Sequence, residues 1–119
     1  PEGFEPDVAL TDKFAQRVSL SRDPKIAVSG ADLVVTDVWA SMGQEHEESQ
    51  REASFSNFQV NRELMSLANT DALLMHCLPA HRGEEISAEL LDAEDTVIWD
   101  EAENRMHSQK ALLEYLLSQ

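Results

Sequence analysis

The chain has little of several things, and each shortage excludes something. One cysteine in 119 residues rules out an internal disulfide framework, and the simplest expectation is a reducing compartment, the cytoplasm. Basic residues are scarce: 9 Lys and Arg against 23 Asp and Glu leave a formal charge of −14. A field of that sign repels nucleic acid and argues against a DNA- or RNA-binding module. No apolar run approaches the ~20 residues that a membrane-crossing helix needs, so no membrane partner is expected. Neither a Gly-x-Gly-x-x-Gly nor a Walker sequence occurs, which leaves a nucleotide site unsupported. There is no internal repeat and no low-complexity tract. The opening Pro1-Glu2-Gly3 is loop chemistry with no methionine or leader, and it raises the expectation that the chain is part of something longer.

What is there reads as one globular domain, with 42% hydrophobic residues and enough length to bury a core. Short apolar runs predict buried strands at Leu33-Val34-Val35-Thr36, at Ala72-Leu73-Leu74-Met75 and at Thr96-Val97-Ile98-Trp99, with a shorter one at Val18-Ser19-Leu20. Helical patterns lie between them. One covers Val8 to Val18, and a short one from Pro24 to Ser29 is closed by Gly30. Val60, Leu64, Leu67 and Ala68 fall on one face of an amphipathic helix. Ser87 caps a brief helix through Leu91. The last helix is expected from about Glu101 to Leu117, with Asp100 as its N-cap and acidic residues in its first turn. Residues 43–56 read as one long polar loop. Strands alternating with helices imply an α/β class, a layered, Rossmann-like parallel sheet of about four strands with helices on both faces and right-handed crossovers.

In an open parallel sheet, ligands bind outside the carboxyl ends of the strands. The expected strands end in capable groups: Asp37 after the first, His76-Cys77 after the second, and Asp100 leading to Asn104-Arg105 after the third. If the strands are parallel, these groups share one edge. Each has a plainer alternative. Cys77 is either a small buried hydrophobe or a group facing a ligand, and a neighbouring acid disfavours its thiolate. Asp37 either caps a loop or meets an ammonium ligand. Ser41-Met42-Gly43 is either an ordinary turn or a hydroxyl and exposed amides that hold a carboxylate. Arg105 either pairs with Glu101 on the helix surface or binds a phosphate or polarises a carbonyl. The spacing of His76, Cys77 and His81 is not that of a zinc site, and no metal or other cofactor is expected. His46 and His107 carry no readable pattern.

Four blocks, "TDVWASMGQE", "FQVN", "MHCLPAHRGEE" and "DEAENRMHSQKALL", resemble the carboxy-terminal half of the ornithine carbamoyltransferase family. The resemblance runs over nearly the whole chain with the blocks in family order, and it is weakest from Asp7 to Asp23. It implies transfer of a carbamoyl group from carbamoyl phosphate to the δ-amine of L-ornithine, giving L-citrulline and phosphate. By matching motif, Asp37 with Ser41 and Met42 would bind the amino-acid end of ornithine. Cys77 and the Leu78 backbone would lie beside the reacting amine, and Arg105 would contact carbamoyl phosphate. Cys77 and Arg105 would be the catalytic pair, with Arg82 and Gly83 shaping the loop.

The family's phosphate-binding domain, with its Ser-Thr-Arg-Thr loop and His-Pro-x-Gln segment, has no counterpart in these residues, nor has the strand expected ahead of Pro1. The whole chain, residues 1–119, is therefore expected to be the ornithine-binding part, inactive when isolated and partnered by the absent carbamoyl-phosphate domain in an intact homotrimer. Rival expectations are a sister enzyme using putrescine or N-acetylornithine, a non-catalytic binding domain of the same fold, and a redox-sensing thiol protein. The Ser-Met-Gly turn after Asp37 favours free ornithine, whose α-carboxylate and α-ammonium need both signs answered.

Overall fold

The computed structural model describes residues 1–40 and 48–119. Helix α1 (Val8–Lys13) starts where the Asp7 carboxylate accepts the amides of Ala9 and Leu10. Helix α2 (Pro24–Val28) has Pro at its first position and Asp23 as its cap, and Gly30, at φ +71°, turns the chain out of it. Strand β1 (Leu33–Thr36) pairs in parallel with β2 (Leu73–His76), in the register Leu33 to Leu73 and Thr36 to His76. Between them lie α3 (Glu48–Phe55), a 3-10 turn at Ser56–Phe58, and α4 (Arg62–Met65) capped by Asn61. Helix α5 (Ala88–Leu91) is capped by Ser87, and the long α6 (Ile98–Leu117) packs against β2.

The core joins Val28, Val34, Val60, Leu64, Leu74, Ile86, Leu90, Leu91 and Ile98. Period-two alternation buries Val34 and Leu74 while Leu33, Val35 and Leu73 stay exposed, so this stretch of sheet has one covered face. No helix among the described residues is long and apolar enough to cross a membrane.

The α/β class and the parallel pairing stand, but several elements differ from expectation. Thr96 to Trp99 is not a strand: Ile98 and Trp99 open α6, with Ile98 fully buried and Trp99 half-exposed. A four-residue apolar run does not distinguish a buried strand from a buried first helical turn. Asp100 consequently lies inside that first turn beside Glu101, where its charge still offsets the helix dipole, and Val97 holds the cap position without a side-chain bond. Val18 to Leu20 finds no partner strand and stays exposed, so the sheet has two strands among the described residues.

Helix α1 stops at Lys13 rather than Val18, giving way to turns. The helix expected through Ala68 shortens to Arg62–Met65, because the chain beyond it tightens into turns closed by Leu67 N–H to the Leu64 carbonyl and Ala68 N–H to the Met65 carbonyl. Val60 leaves that helix face altogether and forms a bridge to Ile86. The stretch expected as a long polar loop contains α3, whose single apolar residue of note, Phe55, packs edge-on against Phe4 and Phe58.

Candidate active site

The register of two strands builds the centre of the site. Thr36 pairs with His76, so the next residues, Asp37 and Cys77, leave the sheet side by side. The Cys77 thiol donates to Asp37 Oδ1 at 3.1 Å, and the Val38 amide donates to the same oxygen at 2.8 Å. Asp37 Oδ2 has no partner among the described residues. Cys77 is exposed, which removes the alternative of a buried filler. The hydrogen bond to the Asp37 carboxylate pushes the thiol pKa up, helped by burial and by the charges of Asp37 and Glu101. The thiol is therefore held protonated, as a donor rather than a thiolate nucleophile.

Beyond Cys77 the backbone turns sharply. Leu78 sits at φ +55°, a left-handed conformation that costs a side chain of this kind about 1–3 kcal/mol, and the Leu78–Pro79 peptide is cis. The Leu78 amide donates to His76 Nδ1 at 2.9 Å, and the His76 amide donates to Glu101 Oε2 on α6, also at 2.9 Å. His76 and Glu85 are completely buried, with Nε2 and Oε1 3.0 Å apart. Because Nδ1 accepts from Leu78, the ring carries its proton on Nε2 and donates it to Glu85.

A cleft of about 660 Å³ opens between this loop and α6, lined by Cys77, Leu78, Glu101, Asn104, Arg105 and Ser108 among others. Arg105 is exposed and makes no ion pair among the described residues, so the expected surface pairing with Glu101 does not form. A second cavity, of about 480 Å³, borders Asp37 on its other side and is walled by Trp39, Arg51 and Phe55. Trp39 stacks on Phe55 with centroids 6.1 Å apart, and Arg51 lies 5.2 Å from the centroid of Phe4. These contacts tie Trp39 and Phe4 to α3. Ser41 and Met42, expected to hold the amino-acid end of a ligand, lie outside the described residues, as does His46.

Two side-chain groups have metal-ligand chemistry, their donor atoms within 4.8 Å of one another: Asp37 with His76 and Cys77, and His81 with Glu84 and Glu85. In the first, both ring nitrogens of His76 are already engaged by Leu78 and Glu85. Arg82 is bonded twice to Asp92, through Nε at 3.0 Å and Nη2 at 2.7 Å, in line with a loop-shaping role. His107 is exposed and meets Glu103 one turn away.

Sequence reasoning singled out Asp37, Cys77, Leu78 and Arg105; the last three line one cleft, and Asp37, which borders the second cavity, meets them through its bond to Cys77. It missed Glu85 and Glu101, and it left His76 without a role. The "FQVN" block was the available signal. Gln59 donates to the carbonyls of Gly83 and Glu84 at 2.6 and 2.9 Å, and the Val60 amide donates to the Glu85 carbonyl at 2.8 Å. That block thus holds the "HRGEE" segment in place.

Comparison with known proteins adds the family. Residues 1–116 match the model of the aspartate/ornithine carbamoyltransferase Asp/Orn-binding domain. The chain is 59% identical over 118 residues to an ornithine carbamoyltransferase of Methylococcus capsulatus, covering 99% of this chain and 40% of that protein. Among solved structures, the anabolic ornithine carbamoyltransferase of Campylobacter jejuni superposes with a TM-score of 0.89 at 36% identity, over 99% of this chain and 41% of that one. That of Pyrococcus furiosus gives 0.82 at 48% identity, over 95% and 38%. The chain thus spans about two-fifths of the length of the relatives it matches.

Proposed function

Since the chain belongs to the aspartate/ornithine carbamoyltransferase family, matching its Asp/Orn-binding domain, we propose that it is the amino-acid-binding part of an enzyme that moves a carbamoyl group from carbamoyl phosphate to the δ-amine of L-ornithine. The products are L-citrulline and phosphate, a step of arginine metabolism. The observation that carries this reading is the Asp37–Cys77 contact at the ends of two parallel strands, across a cleft from Arg105, which has no ion-pair partner among the described residues.

Ornithine offers an α-ammonium, an α-carboxylate and the reacting δ-amine. Asp37 has Oδ1 occupied and Oδ2 without a partner among the described residues, which suits the α-ammonium; Ser41 and Met42 answer the α-carboxylate. Attack requires the δ-amine in its neutral form, since the ammonium has no lone pair. Cys77 and Leu78 orient that amine. As the nitrogen adds to the carbonyl carbon, the oxygen gains negative charge, and Arg105 stabilises it with fixed donors. Collapse of the tetrahedral centre breaks the C–O bond and expels phosphate, already a good leaving group, which carries off the proton that the attacking nitrogen releases. Bringing two substrates into register supplies much of the acceleration. No covalent enzyme intermediate is needed, in keeping with a thiol held protonated.

Carbamoyl phosphate is a polyanion, and this strongly acidic chain offers it little beyond Arg105. The rest of its cradle belongs, on this reading, to a carbamoyl-phosphate domain of the intact protein, a cytoplasmic homotrimer. The test is product formation by the intact protein and by the isolated 119-residue chain, with ornithine, putrescine, N-acetylornithine and aspartate as acceptors. The expected result is a large preference for ornithine in the intact protein and no citrulline from the isolated chain. A preference for putrescine, which lacks the α-carboxylate, would overturn the assignment of the Ser41-Met42 turn, and a preference for N-acetylornithine, whose α-nitrogen is uncharged, that of Asp37. No carbamoylation of any acceptor would leave a binding domain only.

A further inference from the structure

The loop that carries Cys77 and Leu78 is held from inside by a buried carboxylate that does not itself line the cleft. Glu85 Oε1 accepts the His81 amide at 2.7 Å and lies 3.0 Å from His76 Nε2, so one oxygen ties both ends of the segment from His76 to His81. His76, in turn, accepts the amide of Leu78, the residue in the left-handed conformation. The chain of contacts therefore runs from Glu85 through the imidazole to the one backbone position that sets where the Cys77 thiol and the Leu78 peptide face. Both side chains are 0% exposed, so water does not compete for either bond.

Glu85 is a poor choice for stability alone. Its second oxygen, Oε2, is buried with no hydrogen-bond partner among the described residues. Burying a carboxylate with one oxygen unanswered costs stability, and an apolar residue would fill the same space at less cost. What an apolar residue lacks is an acceptor that fixes the imidazole tautomer and ring angle. A neighbouring carboxylate oxygen on an imidazole N–H is a general device for this purpose.

We propose that Glu85 is a positioning residue of the transfer site, acting through the Nε2–H tautomer of His76 to hold Cys77 and Leu78 in the geometry that presents the acceptor amine. The proposal rests on the carbamoyl-transfer reading for its kinetic consequence, but the clamp itself is independent of that reading.

The experiment compares Glu85→Gln with Glu85→Leu in the intact protein, measuring kcat, both KM values and the rate at which iodoacetamide alkylates Cys77. Glutamine keeps a carbonyl oxygen for His76 and His81; leucine keeps only volume. Displacing a positioned group by about an ångström costs on the order of a hundredfold in rate. Glu85→Leu is expected to lower kcat by about that factor, with KM for carbamoyl phosphate little changed. It should also alkylate faster, because the thiol is no longer held against Asp37. Glu85→Gln should restore most of kcat and the slow alkylation.

Equal damage from both variants, or unchanged kcat and alkylation in a folded Glu85→Leu protein, would overturn the proposal. If Glu85→Leu does not fold, His76→Gln decides. It keeps a donor facing Glu85 and removes only the acceptor for Leu78, so a loss of kcat supports the clamp and unchanged kcat refutes it. If the parent protein transfers no carbamoyl group at all, the functional reading fails while the alkylation rates still test the clamp.

Discussion

Replacing Asp37 by asparagine removes one charge and almost no volume, and the structure says which contacts survive. Asp37 Oδ1 accepts from the Val38 amide at 2.8 Å and from the Cys77 thiol at 3.1 Å, and an asparagine carbonyl oxygen serves both. The second oxygen, without a partner among the described residues, becomes an NH₂ group. Where the carboxylate offers an acceptor to an ammonium, the amide offers donors, so a charge-assisted bond is lost and a repulsive pair takes its place. Such a bond contributes about 1.5–3 kcal/mol. The lower part of that range applies, because Asp37 is exposed and partly screened by solvent.

A loss of about 2 kcal/mol corresponds to roughly a thirtyfold weaker interaction. In the intact enzyme, Asp37→Asn is expected to raise the ornithine KM by about that factor, with KM for carbamoyl phosphate unchanged. N-acetylornithine, whose α-nitrogen is an uncharged amide, should lose almost nothing. The assay is initial-rate citrulline formation with each substrate varied in turn. An ornithine KM within twofold of the parent, in a protein that still folds, would refute the assignment of Asp37 to the amino-acid end.

Three further outcomes follow from the same geometry. Arg105→Gln should lower kcat by about a hundredfold or more while leaving ornithine KM nearly unchanged, since its donors meet charge that develops only during transfer; single-turnover rates check this. Cys77 should alkylate slowly at neutral pH and faster in Asp37→Asn, because the carboxylate raises the thiol pKa. By linkage, the raised folded-state pKa contributes stability that is complete below the unfolded thiol's pKa and is lost as pH rises through the folded one. Cys77→Ser should flatten that alkaline part of a pH–stability profile. Ile98→Ala removes a fully buried side chain at the junction of α6 and the core and should cost about 2–5 kcal/mol in urea unfolding. A loss under 0.5 kcal/mol would mean that the first turn of α6 is not packed against the core.

The residues themselves decided the local chemistry. Apolar runs marked β1 and β2, Ser87 marked a helix start, Pro24 and Gly30 bounded α2, and a single cysteine stood between a histidine and a leucine-proline pair. These signals are legible because they depend on neighbours within a turn or a few strand residues. Asp37 and Cys77 could be named from where the strands end, and the parallel arrangement then implied one shared edge; Leu78 came from the family resemblance, and Arg105 was placed there by a third strand that is in fact the start of α6.

Tertiary structure decided the rest. Whether Thr96 to Trp99 became strand or helix depended on what its apolar side chains met, and a run of four carries no period long enough to tell. The bond between Asp37 and Cys77 spans 40 positions and exists only because β1 and β2 pair in one register; a shift by one residue would turn the thiol to the opposite face. The pairing of His76 with Glu85 likewise depends on burial, since in solvent the same two side chains would be screened and free to part. A carboxylate in a run of acids looks like any solvated charge until the fold removes its water, and only the fold determined which of Glu84 and Glu85 that would be.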